Sequence, residues 1–109
     1  MHVAGTEDAP VRFSGADGAT WAGFLFEDPD DENVPHVIEH AEISDAGSTA
    51  FNSNGDLGAI VIWAETSASI TDTFFSNTVS KCAINAPYND DEVSTLGSDS
   101  SGALLLCDA

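Results

Sequence analysis

The strongest constraint on this chain is a motif that returns at a fixed offset. Ile38-Glu-His-Ala-Glu-Ile43-Ser-Asp45 comes back as Ile70-Thr-Asp-Thr-Phe-Phe75-Ser-Asn77. Both read Ile, four residues, a large apolar residue, Ser, then Asp or Asn, and the offset is 70 − 38 = 32 throughout. A repeat of this kind describes a chain of similar supersecondary units. None of them buries its inner face until a neighbour covers it.

Two interleaved series extend the pattern. The first is Phe13-Ser-Gly, Ile43-Ser-Asp, Phe75-Ser-Asn and Leu96-Gly-Ser. The second is Gly23-Phe-Leu-Phe, Gly58-Ala-Ile-Val-Ile, Ala83-Ile-Asn and Gly102-Ala-Leu-Leu-Leu. Each member of the first precedes a member of the second, and the Ser/Asn/Gly-rich stretch 48–57 sits between one such pair as an inserted loop. Helical periodicity is poor, and Gly, Pro, Asn and Asp interrupt the chain roughly every 8 to 12 residues. Extended pieces are therefore predicted at 11–15, 21–26, 37–43, 58–63, 69–75, 83–85 and 102–106, and residues 1–10 read as an N-terminal arm or irregular edge. Alternation points Ala41, Ile43, Thr73, Phe75, Ile60, Ile62, Leu104 and Leu106 inward. It points His40, Glu42, Asp72 and Phe74 outward.

Charge sets the expected surroundings. Nineteen Asp and Glu face only Arg12 and Lys81, for a net charge of −17, while apolar residues still make up 42% of the chain. That apolar share is ordinary for a folded core, so the charge alone does not argue disorder. The self-repulsion is severe in dilute buffer. It largely disappears in molar salt, where the Debye length falls to about 3 Å. The composition resembles that of proteins from salt-loving organisms, and an ordinary acidic calcium-binding protein is the alternative. Two cations do not neutralise a phosphate backbone, so nucleic acid is excluded as a partner. An anionic membrane surface is disfavoured on the same ground. No apolar run is long enough to insert in a membrane, and no basic-then-apolar signal peptide opens the chain.

Trp21-Ala-Gly-Phe-Leu-Phe, an acidic turn, and Asn33-Val-Pro-His-Val-Ile-Glu-His-Ala-Glu-Ile-Ser-Asp-Ala-Gly47 resemble the right-handed parallel β-helix repeats of the pectin-lyase-like superfamily. Ile70 to Asn77, leading to Ala83-Ile84, resembles the next coil. The resemblance covers residues 11–85 and extends more loosely over 93–106. It implies an all-β fold, a right-handed parallel β-helix of about three to four coils, spanning 11–109 as a fragment of a longer helix. Strands ~4.8 Å apart would make a prism only ~20 Å long. For function it implies little, since the superfamily mixes polysaccharide lyases, glycoside hydrolases, adhesins and surface proteins.

Candidate sites follow from the outward side chains. Asp28, Asp30, Asp31 and Glu32 form an acidic turn that offers carboxylate oxygens to Ca²⁺, the one cofactor considered, against the reading of a solvated turn. Asn89-Asp-Asp-Glu92 is read the same way. His36, His40 and Asp72 make a possible metal trio, against plain surface histidines. For hydrolysis, Glu39, Glu42, Asp45, Asp56 and Asp72 offer carboxylate pairs, of which Glu42 with Asp72 is the leading one. No lyase residue is carried over, because neither cation is placed beside an outward acidic trio. Trp63 and Phe74 are expected outward on neighbouring coils, as platforms for sugar rings or a protein. Cys82 and Cys107 are expected to be free thiols. Opposite parity and a register gap of about five residues, roughly 16 Å, keep them beyond disulfide reach.

The expected function is a non-catalytic β-helix module of an extracellular or cell-surface protein, structural or adhesive, adapted to high salt. A polysaccharide-active lyase or hydrolase segment and a calcium-stabilised binding module are the alternatives. Expected partners are further β-helix coils or another copy at the open ends, and polysaccharide.

Overall fold

A computed structural model of the chain describes residues 2–26, 36–50, 57–63, 67–86 and 93–108. Among the described residues twelve strands run in chain order: β1 His2–Ala4, β2 Val11–Phe13, β3 Phe24–Phe26, β4 His36–Glu39, β5 Ala41–Ser44, β6 Ile60–Ile62, β7 Ala68–Thr71, β8 Phe74–Ser76, β9 Cys82–Ala86, β10 Val93–Ser94, β11 Asp99–Ser100 and β12 Leu104–Asp108. Among the described residues the only helical piece is a 3₁₀ turn at Ala16–Gly18. The strands sort by threes into three four-stranded sheets, β1-β4-β7-β10, β2-β5-β8-β11 and β3-β6-β9-β12. Among the described residues every strand pairing is parallel. Four passes of three strands each, stacked on like strands, are compatible with a β-helix-like solenoid.

The 32-residue offset is the register of this stack. It pairs Ile38 with Ile70 in the first sheet and Ile43 with Phe75 in the second. Above and below, Phe13 pairs with Ile43, and Phe24, Ile60, Ile84 and Leu106 form one column in the third sheet. The inward members of these columns, with Phe26, Ala41, Ile62 and Ala68, make a single continuous core. Phe13, Trp21, Phe24 and Phe26 extend it as a chain of ring contacts 5.0 to 6.3 Å apart. Thr73 is buried among them. Its hydroxyl donates to the Thr71 carbonyl, and its N–H donates to Ser98 Oγ.

The expected single strands 37–43 and 69–75 are each two strands. His40 (φ 51°) and Asp72 (φ 49°) take the left-handed conformation and turn the chain between the first and second sheets. One such residue re-aims a strand without Gly or Pro, and Asp and His tolerate that region better than most side chains. Asp45 (φ 64°), Asn77 (φ 50°) and Gly102 (φ 91°) do the same at the next corner.

Four further expectations are corrected. Leu96 is 80% exposed in a turn. Ser100, not Leu96, stands over Phe75, because Gly97 makes the corner and the strand starts after it. Leu106 rather than Leu104 covers Ile84, leaving Leu104 55% exposed; the fourth pass is shorter, and its register runs two residues beyond the expected one. The stretch 1–10 contains a strand, β1, too short to show a period, that pairs with β4.

Lastly, Cys82 and Cys107 form a disulfide, with Cα atoms 5.9 Å apart. Hydrogen-bond register sets Cys107 opposite Asn85, three places from Cys82. On a flat rung that spacing would be about 11 Å at ~3.3 Å per residue and ~4.8 Å between strands. The two-residue register shift of β12 closes the expected gap from five places to three, and the Cα separation of 5.9 Å lies within disulfide reach.

Candidate functional site

The second sheet presents the most developed outer face. Its strands alternate, so Ala41, Ile43, Thr73 and Phe75 turn in and Arg12, Glu42, Phe74 and Asp99 turn out. Parallel register then lines the outward residues up in one row, Arg12 to Glu42 to Phe74 to Asp99. A second row beside it pairs Ser44 with Ser76. Between the rows lies a groove of about 310 Å³ bordered by Arg12, Ser14, Glu42, Ser44, Phe74 and Ser76.

Arg12 Nε donates to Glu42 Oε2. This hydrogen bond, together with the charge of Glu42, raises the Arg12 pKa above its ordinary value. The groove thus carries a polarised donor–acceptor pair at one end. At the other end is an aromatic ring, Phe74, with 42% of its surface free. Stacking beside a charged hydrogen-bonding pair suits a ligand with both a flat apolar face and hydroxyls. The role of Arg12 was missed from sequence. The step from Phe13 to Ile43 in the first series is 43 − 13 = 30 residues, and the same step carries Arg12 onto Glu42.

The other expected site residues are dispersed. Asp72 lies at the first corner, where its Oδ2 is 3.7 Å from His40 Nε2. Glu42 stacks under Phe74, and His40 donates its backbone N–H to Thr71 beside Asp72, so Glu42 and Asp72 belong to different columns. Asp45 accepts from Asn77, and Glu39 lies in the first sheet beside Thr71. Trp63 is half-buried just after β6, donating its backbone N–H to Phe26 in the third sheet, so it shares no face with Phe74. His36 stacks flat on Phe26, ring centroids 4.5 Å apart, well along β4 from His40. Among the described residues no three His, Cys, Asp or Glu side chains converge as a metal site. Asp28, Asp30, Asp31, Glu32, Asp56 and the turn 89–92 lie outside the described residues.

No family model, curated protein or solved structure matches the chain.

Proposed function

We propose that the chain is a right-handed parallel β-helix module, structural or adhesive rather than catalytic, from an extracellular or cell-surface protein adapted to high salt. The observation that carries this reading is the fate of the outward acids. Glu42 is tied to Arg12, Asp45 to Asn77, and Asp72 faces His40, so three of the carboxylates considered for catalysis are each engaged by a neighbour of the stack. Two glycosidase carboxylates need a free gap of roughly 5 to 9.5 Å across one sugar bond. The Cys82–Cys107 disulfide supports an oxidising compartment. The net charge of −17 supports salt adaptation, because repulsion that opposes folding in dilute buffer is screened in brine. Among the described residues each sheet ends in strands with a neighbour on one side only, an edge that further coils or another copy would cover.

Unfolding followed against KCl and CaCl₂ tests the setting. Stability rising through molar KCl, with millimolar Ca²⁺ adding nothing, is the expected result. Stabilisation by millimolar Ca²⁺ alone would replace this reading with that of a calcium-stabilised module.

A second reading, a polysaccharide-binding or polysaccharide-cleaving face, is favoured by the groove joining Arg12, Glu42 and Phe74. Assays for reducing ends and unsaturated products on acidic and neutral polysaccharides separate the two, and a Glu42-dependent activity would establish the second.

A further inference from the structure

The two ends of the stack complement each other. β1, β2 and β3 form one end and β10, β11 and β12 the other, and among the described residues each of these strands has a neighbour on one side only. Columns that are closed off in the middle passes stay partly open at the ends. Phe13 and Phe24 in the first pass and Leu106 in the last are half-buried, while Ile43, Phe75, Ile60 and Ile84 between them are buried. Backbone donors face outward there too. Val11 gives its N–H to the His40 carbonyl, so alternation turns the Arg12 N–H to the open side of β2. Leu104 gives its N–H to the Lys81 carbonyl, which turns the Leu105 N–H to the open side of β12.

Three relations favour a second copy as the occupant. Parallel sheets extend by translation, so the edge of the last pass repeats the edge that the third pass offers it. Register carries one column from Arg12 through Glu42 and Phe74 to Asp99. A copy added in the same direction sets its Arg12 one rung, ~4.8 Å, from Asp99, and its Phe24 over Leu106. Asp99 Oδ1 accepts the Ser100 N–H, which leaves Oδ2 for that contact. Joining like ends would instead bring Arg12 to Arg12 or Asp99 to Asp99. Size is the third relation. The Cα extents are 34 × 30 × 21 Å, and four strands ~4.8 Å apart lie along the shortest, so the ends are the broad faces. A face of that breadth is of the order of the ~800 Å² per partner in a standard interface.

We infer that copies of this chain dock head to tail, the last pass of one against the first pass of the next. This rests on the stacked-module reading above and names its partner. Such a heterologous contact does not close, so it grows as a chain. The net charge of −17 opposes association in dilute buffer, and the ~3 Å screening length of molar salt removes that opposition.

The test follows sedimentation and amide hydrogen exchange of the whole chain in about 1 M KCl across a concentration series. A growing series of oligomers is expected, with exchange at both Arg12 and Leu105 slowing as concentration rises. Arg12→Pro and Leu105→Pro each remove an open-edge donor that the fold does not use, a change that edge strands tolerate. Each should weaken self-association roughly tenfold or more. An equal mixture of the two variants should form dimers and stop there, since each supplies the end that the other lacks. A parent that stays monomeric while folded would overturn the docking and leave the module reading standing. Slowed exchange at only one of the two amides, or a variant that dimerises alone as readily as in the mixture, would replace head-to-tail docking with pairing of like ends. Should a variant fail to fold, the exchange pattern of the parent decides.

Discussion

Asn77 donates its side-chain N–H to Asp45 Oδ1 at 2.6 Å, joining the same corner of two successive passes. Both residues hold the left-handed backbone conformation, and both end the recurring motif of an apolar residue, Ser and then Asp or Asn. Short polar side chains tolerate this conformation and bond across the gap between passes. The corner is therefore both a bend and a rung.

Replacing Asn77 separates these roles. Asn77→Ala loses the side-chain bond and the short polar side chain that makes Asn tolerant of left-handed backbone, costing about 1 to 3 kcal/mol. Asn77→Gly loses only the bond and should cost about 1 kcal/mol less, since glycine adopts that conformation freely. Urea denaturation of both variants checks the order. Equal stabilities would show that the corner is unstrained.

Ile43 and Phe75 are vertical neighbours, each essentially fully buried. Ile43→Ala should cost about 2 to 5 kcal/mol and Phe75→Ala about 3 to 5 kcal/mol, from lost burial plus a cavity. Because the residues are stacked, the double variant should depart from additivity by about 0.5 to 3 kcal/mol. A double-mutant cycle that adds within ~0.3 kcal/mol would argue against contact between them.

Reduction of the Cys82–Cys107 disulfide, 25 residues apart in sequence, should lower stability by about 3 kcal/mol through loss of loop closure. The loosening should concentrate in β12, where hydrogen exchange at Leu104, Leu105 and Leu106 would accelerate ahead of that at Ile38 or Ile70. Thiol titration of the unreduced protein should find no reactive cysteine. One or two reactive thiols would restore the expectation of free cysteines.

The groove on the second sheet predicts a split between stability and binding. Arg12→Ala and Glu42→Ala should each change stability little, because the pair is exposed, and the effect should shrink in molar KCl. Phe74→Ala should cost much less stability than Phe75→Ala, since 42% of Phe74's surface is already free. If the face takes saccharide, the same three variants should abolish retention on a polysaccharide affinity gel. Retention by all three would exclude the groove.

Much of the architecture was legible because a stacked fold writes its register into the sequence. Residues that sit over one another meet nearly the same surroundings, so Ile38 and Ile70, and Ile43 and Phe75, are alike in type and equally spaced. The inward and outward sides of β5 and β8 were legible for the same reason, since strand alternation needs no tertiary information. The Arg12–Glu42 row was also within reach, through the 30-residue step that aligns β2 with β5.

What the chain determined alone was this periodic order: parallel passes, their spacing through the 32-residue offset, and which side chains face the core. Only the tertiary structure decided how each extended stretch divides at His40 and Asp72, since a left-handed residue leaves no mark in composition. It alone decided the last pass, where the repeat weakens, Ser100 and Leu106 take the column positions, and Cys107 comes within disulfide reach of Cys82. Repetition fixes what lies over what. Where the repeat weakens, as in the last pass, that constraint is lost and local packing settles the geometry.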